Sequence, residues 1–211
     1  MITVNDLEQV IARSEQFDDE LFSMFQKFEF GDDNRSSAVV TMCNIAHEHA
    51  ISLRELTRIR LLTSAMGMLR LQYEALVRAI WALYAASETA IDKLVAPLTP
   101  ESEQAAKNGL PNVSKMMEDI QKKGPPGVHR HLSEFKDYSW QPLNSYVHGG
   151  IHAANRSNAG YPVNIHYSAV RQSNNLLHMS AIALAQLIND GDLAMEVVKL
   201  YKKHADCLQL T

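Results

Sequence analysis

With only two cysteines in 211 residues, Cys43 and Cys207, the chain can build neither a disulfide framework nor a cysteine-based zinc site. Both read as reduced, structural thiols. The opening stretch MITVNDLEQVIARSE has no basic segment leading into an apolar one, so no signal peptide is expected. No apolar run reaches the roughly 20 residues of a membrane span. The least charged helical stretch, 172–189, is interrupted by Asn174, Asn175, His178 and Gln186. The expectation is a cytoplasmic protein with no membrane partner. A Gly-rich phosphate loop and a Gly-x-Ser-x-Gly elbow are also missing, which removes the commonest nucleotide-binding and hydrolase motifs. Nor is there a basic excess. Lys and Arg total 20 against 24 Asp and Glu, and a net charge of −4 argues against a surface built to coat nucleic acid.

The composition that is present, 46% apolar and 21% charged, is that of a globular chain. Its length fits a single helical domain over 1–211 that buries roughly 70% of its unfolded surface. Apolar residues recur at helical spacing from Leu7 to Phe28, with Asn5 and Glu8 as the expected capping pair, and Gly31-Asp32-Asp33-Asn34 ends that helix. A second helix follows from Ser36, with a break expected between Ser52 and Arg58 because Ser52 with Glu55 could restart a helix. The strongest helical pattern spans Leu61 to Ser87. Thr99-Pro100 opens a short helix, and Asn112 to Lys123 is another, closed by Gly124-Pro125-Pro126-Gly127. Short helices are expected at Val128–Asp137 and Trp140–Val147, and two final ones at Tyr167–Asn189 and Leu193–Leu208. Tyr161 to Tyr167 has an extended character, but one short strand cannot stand alone. The fold class is therefore all-α, an up-and-down helical bundle with short additional helices.

Two stretches depart from an ordinary surface. Between Arg54 and Arg78 lie five of the ten arginines, against only Glu55 and Glu74. Most of this reads as a solvated helix face. Arg70 and Glu74, however, are four apart beside the apolar stripe, so they can form a partly buried pair that aims a rigid guanidinium. The second stretch, 138–189, has no Asp, Glu or Lys in 52 residues, only Arg156 and Arg171, with four histidines and seven asparagines. A segment of that composition is buried, packed against another subunit, or lining a site, and its polar groups need partners.

Histidine spacing raises metal binding. His148 and His152 are four apart, which on one helix would bring both imidazoles to one face. Gly149-Gly150 between them opposes a continuous helix, at about 1 kcal/mol per glycine. Cys43 with His47, His47 with His49, and His129 with His131 are further close pairs. His148 and His152 have no carboxylate within a few residues, and no metal or other cofactor is expected.

In Leu143-Asn144-Ser145-Tyr146-Val147-His148, Asn144 and His148 form an Asn-x-x-x-His late in an all-α chain. This resembles the HEPN superfamily of bacterial ribonucleases, toxins and defence proteins, whose motif is Arg, a polar residue, three variable residues and His. Leu143 occupies the arginine position. Leu69 to Trp81 likewise resembles a helix that precedes a Tyr-Val-His-Gly segment in HEPN-like and abortive-infection-type families, as Tyr146 to Gly149 follows here. Together these cover about a third of the chain. The resemblance implies metal-independent RNA cleavage by a homodimer, with His148 as acid/base and Asn144 positioning it. The phosphate clamp would come from Arg70 (with Glu74), Arg78 or Arg156 folded onto His148. The alternative is a non-catalytic interaction or ligand-binding bundle, in which the low-charge segment packs a dimer and Arg70, Glu74 and His148 are structural.

Overall fold

The structure, a computed structural model, describes residues 1–209. Ten α-helices make it up, with no strand among the described residues: α1 (Val4–Ser23), α2 (Asn34–Arg58), α3 (Leu62–Tyr84), α4 (Glu88–Val95), α5 (Pro100–Gly109), α6 (Val113–Lys123), α7 (Pro126–Val147), α8 (Ile151–Ala159), α9 (Val163–Ile188) and α10 (Gly191–Lys203), followed by a 3₁₀ turn, Ala205–Cys207. The all-α bundle read from the sequence is therefore observed. None of these helices is long and apolar enough to cross a membrane.

Helix α9 forms the axis, packed against α1, α2, α3 and α10, while α3 also packs against α6 and α7. Phe17, Leu21, Val39, Leu53, Leu76, Val170 and Leu177 fill the space between these helices. Several polar residues of α9 turn inward and hydrogen-bond to neighbouring helices. Gln72 donates to the Ser173 carbonyl at 2.9 Å, and the Ser173 hydroxyl donates back to Gln72 Oε1 at 2.6 Å. Asn174 donates to Ser14 Oγ and to the Cys207 carbonyl, both at 2.7 Å, tying α9 to α1 and to the final turn. A buried polar network of this kind fixes one arrangement of the helices, because slippage would strand its donors.

Several boundaries differ from the sequence reading. The cap of α1 is Thr3 with Asp6, not Asn5 with Glu8: the Thr3 amide donates to Asp6 Oδ2 at 2.7 Å and the Asp6 amide to Thr3 Oγ1 at 3.2 Å. Helix α1 stops at Ser23, and Phe25 and Phe28 reach the core from the turn that follows. Helix α2 runs unbroken through Ser52 to Arg58, because Ala46, Ala50, Leu53, Arg54 and Thr57 keep one inward face. The break falls later, where Arg60 takes a left-handed φ of 64°.

Helix α7 is one helix, not two. Pro142 removes the amide that would bond the Tyr138 carbonyl, yet Leu132 on one side and Leu143 and Tyr146 on the other are buried on the same core. Pro162 caps α9, so Val163 to Tyr167 is helical and not extended. The last helix ends at Lys203, short of Leu208. Helices α4 and α8 have no counterpart in the sequence reading.

Candidate functional site

Antiparallel packing of α3 against α7, with α9 and α10 beside them, leaves a cavity of about 640 Å³. Helix α7 contributes His131, Glu134, Phe135 and Ser139, which share one face at helical spacing, with His131 and Glu134 at its exposed edge. Helix α9 supplies Gln172, Asn175, His178, Met179 and Ile182 by the same periodicity. Ile80 and Tyr84 of α3, Tyr201 of α10 and Gln209 complete the walls. These walls are largely apolar, with a few polar groups among them.

The polar groups fall into two sets. Ser139 Oγ donates to Gln172 Oε1 at 3.0 Å, and Asn175 exchanges two hydrogen bonds with the Gln209 backbone, at 2.8 and 3.2 Å. His178 Nε2 and Gln209 Oε1, by contrast, are buried and have no hydrogen-bond partner among the described residues. The His178 ring lies against Tyr201, with centroids 4.5 Å apart. Burial, reinforced by His131, pulls the His178 imidazole down to about 4, so it is neutral at physiological pH. Buried polar atoms without partners are uncommon in native proteins, and two of them here belong to residues lining one cavity.

The residues singled out from the sequence lie elsewhere. Arg70 and Glu74 do form the expected ion pair, and Arg70 is buried. Its guanidinium stacks over Trp140 of α7, 3.3 Å from the ring centroid. Burial pulls Arg70 down to about 10, leaving it charged at neutral pH. Trp140 precedes His148 by eight residues, about 12 Å along a helix, and Arg78 sits two turns farther along α3. His148 caps the exposed end of α7, and Asn144 stands one turn before it. Among the described residues no hydrogen bond or ion pair joins either of them to an arginine. Arg156 lies at this end, beside the Tyr146 hydroxyl. Leu143, in the position the HEPN motif gives to arginine, is 2% exposed and packed in the core.

The i, i+4 arrangement considered for His148 and His152 is not formed. Gly149 takes φ 64°, and His152 belongs to α8 on the other side of the turn. Gly150 is required there, since a Cβ would stand 2.6 Å from Ser145 Oγ, the atom that accepts the His152 amide at 2.9 Å. Among the described residues, His204, Asp206 and Cys207 do bring ligand atoms within 4.8 Å of one another. Arg13 already occupies that corner: Nε donates to Asp206 at 2.7 Å, and its guanidinium lies 3.4 Å from His204 Nδ1. Burial also pushes the Cys207 thiol up to about 11, away from the thiolate that a metal needs.

One further polar cluster joins α1 to α2. Asp18 is held between His47 Nε2, at 2.7 Å, and the buried Arg54 guanidinium, with Phe22 stacked on the His47 ring. Both Asp18 oxygens are taken by these partners, and the cluster reads as structural.

The match to known families covers residues 43–210, more than half of the chain. The chain belongs to DUF6988, a family of unknown function. No curated protein and no solved structure matches it. Every residue that lines the cavity falls inside the DUF6988 match, whereas Asp18 and the rest of α1 lie outside it.

Sequence reasoning did not find this cavity, although the low-charge stretch 138–189 that drew attention forms one of its walls. His178 was legible as a histidine at helical spacing from Asn175 and Ile182. The opposite wall was not, because Val128 to Ser139 reads as one short helix and the gap after it.

Proposed function

We propose that this DUF6988 chain is a cytoplasmic ligand-binding bundle that holds a small, largely apolar molecule between α3, α7, α9 and α10. The observation that carries this reading is the cavity, whose volume is typical of small-molecule sites and whose lining includes two buried polar atoms without partners. Its walls are helices except at Gln209, so most of the site is pre-formed by the core. The test is titration with N-phenyl-1-naphthylamine, an uncharged probe that fluoresces in apolar surroundings. Saturable binding at one probe per chain is expected, and Met179→Trp, which fills the cavity from α9, abolishes it while melting remains cooperative. No saturable binding, or binding indifferent to Met179→Trp, overturns the reading.

A second reading is the metal-independent ribonuclease that the HEPN resemblance implies, acting as a homodimer in a toxin, phage-defence or RNA-processing setting. It is favoured by the exposure of His148 one turn after Asn144, with Arg156 across the Gly149-Gly150 turn. Cleavage of RNA in EDTA that disappears in His148→Ala and Arg156→Ala is its expected result. Activity unchanged in both variants removes these residues from the chemistry.

A further inference from the structure

Resting on the reading of the α3–α7–α9–α10 cavity as a ligand site, we infer that its ligand carries no net charge. The lining holds no lysine and no arginine, and its one carboxylate, Glu134, stands at the rim, 54% exposed and 3.5 Å from His131. His178, the most deeply set titratable group of the lining, is itself neutral. A carboxylate or phosphate drawn between Phe135, Leu176, Met179 and Ile182 would lose its hydration with no cation to meet it. An ammonium would find only Glu134, which water screens and His131 already engages.

What the cavity does offer is neutral hydrogen bonding set in an apolar wall. Among the described residues His178 Nε2 and Gln209 Oε1 lack partners, and the Gln172 side chain accepts from Ser139 and makes no other hydrogen bond. Together they can supply a donor and an acceptor to one molecule. The ligand class is thus an uncharged apolar body, aromatic or branched aliphatic, bearing a hydroxyl, amide or ring nitrogen. The same lining turns away the anionic metabolites that make up much of a cell's small-molecule pool.

Three compounds of one ring framework test this: 1-naphthalenemethanol, 1-naphthoate and 1-naphthylmethylammonium, each titrated into the full chain by calorimetry at pH 7. The alcohol is expected to bind at least about ten-fold more tightly than either ion, a difference of about 1.4 kcal/mol. The Met179→Trp variant should bind none of them. If the carboxylate or the ammonium binds as well as the alcohol, and Met179→Trp stops it, the site stands and the charge inference falls. If neither these three nor N-phenyl-1-naphthylamine binds, the cavity is not a ligand site and both readings fall together.

Discussion

Arg54→Leu is expected to lower the unfolding free energy by roughly 3–5 kcal/mol, because it leaves a buried carboxylate without its cation. Asp18 and Arg54 are 6% and 4% exposed, and their ion pair fastens α1 to the middle of α2. With Arg54 gone, Asp18 keeps only its 2.7 Å contact with His47. Replacing both partners, Asp18→Leu with Arg54→Leu, should recover part of the loss, since a missing pair costs less than half of one.

The pH dependence has a definite sign. Burial pushes the Asp18 carboxyl up, but the His47 hydrogen bond and the Arg54 charge outweigh it and hold the carboxyl below its ordinary 3.8. A carboxyl lowered on folding adds stability that is fully present above the unfolded value and is lost as pH falls through the folded one. The parent chain should therefore weaken below about pH 4, and Asp18→Asn should be less stable at pH 7 with a shallower acid decline. Urea unfolding between pH 3 and pH 7 measures both. A loss under about 1 kcal/mol in Arg54→Leu would show that the pair is not what joins these helices.

Tyr73→Ala should cost a similar amount, about 3–5 kcal/mol, and should also loosen the cavity. Tyr73 is completely buried, its hydroxyl donates to the Leu132 carbonyl at 2.9 Å, and its ring stacks on Phe135 with centroids 4.6 Å apart. Phe135 is in turn part of the α7 wall. Removing the ring takes away the surface that positions this wall against α3, so N-phenyl-1-naphthylamine should bind more weakly. Tyr73→Phe keeps the stack and removes only the hydroxyl's hydrogen bond to the Leu132 carbonyl, which keeps its place in the α7 ladder. It should cost about 0.5–1.5 kcal/mol and leave probe binding intact. Should Tyr73→Ala destabilise the chain while the probe binds as before, α7 is held in place by something other than this contact.

The helical class and most long elements could be read from local pattern. Leu69, Tyr73, Leu76 and Ile80 announce α3 because a period near 3.6 has one structural meaning over that length. Thr99-Pro100 and Asn189-Asp190-Gly191 mark boundaries because capping side chains and a left-handed residue act on their immediate neighbours; Asn189 has φ 59°. The reading failed where local signals were overruled. Ser52 with Glu55 suggested a restart and 128–147 read as two short helices, yet buried residues on both sides of each expected break carry α2 and α7 straight through.

The candidate sites divide in the same way. That Arg70 and Glu74 can pair follows from their spacing on one helix, and they do. Whether that guanidinium faces His148 depended on how α7 lies against α3, and it stacks on Trp140 instead. The near-absence of cysteine and the lack of a strong basic excess narrowed the chemistry from the start. The emptiness of 138–189 in Asp, Glu and Lys marked α9 as a helix withdrawn from water, since burying unpaired charge is costly in any fold, whereas Tyr138, Val147 and most of α8 in the same stretch stay exposed. Where that segment would lead was settled only in three dimensions. A cavity is bounded by residues far apart in the chain, here Ile80, Phe135, His178 and Tyr201, and no local pattern encodes the distance between two helices.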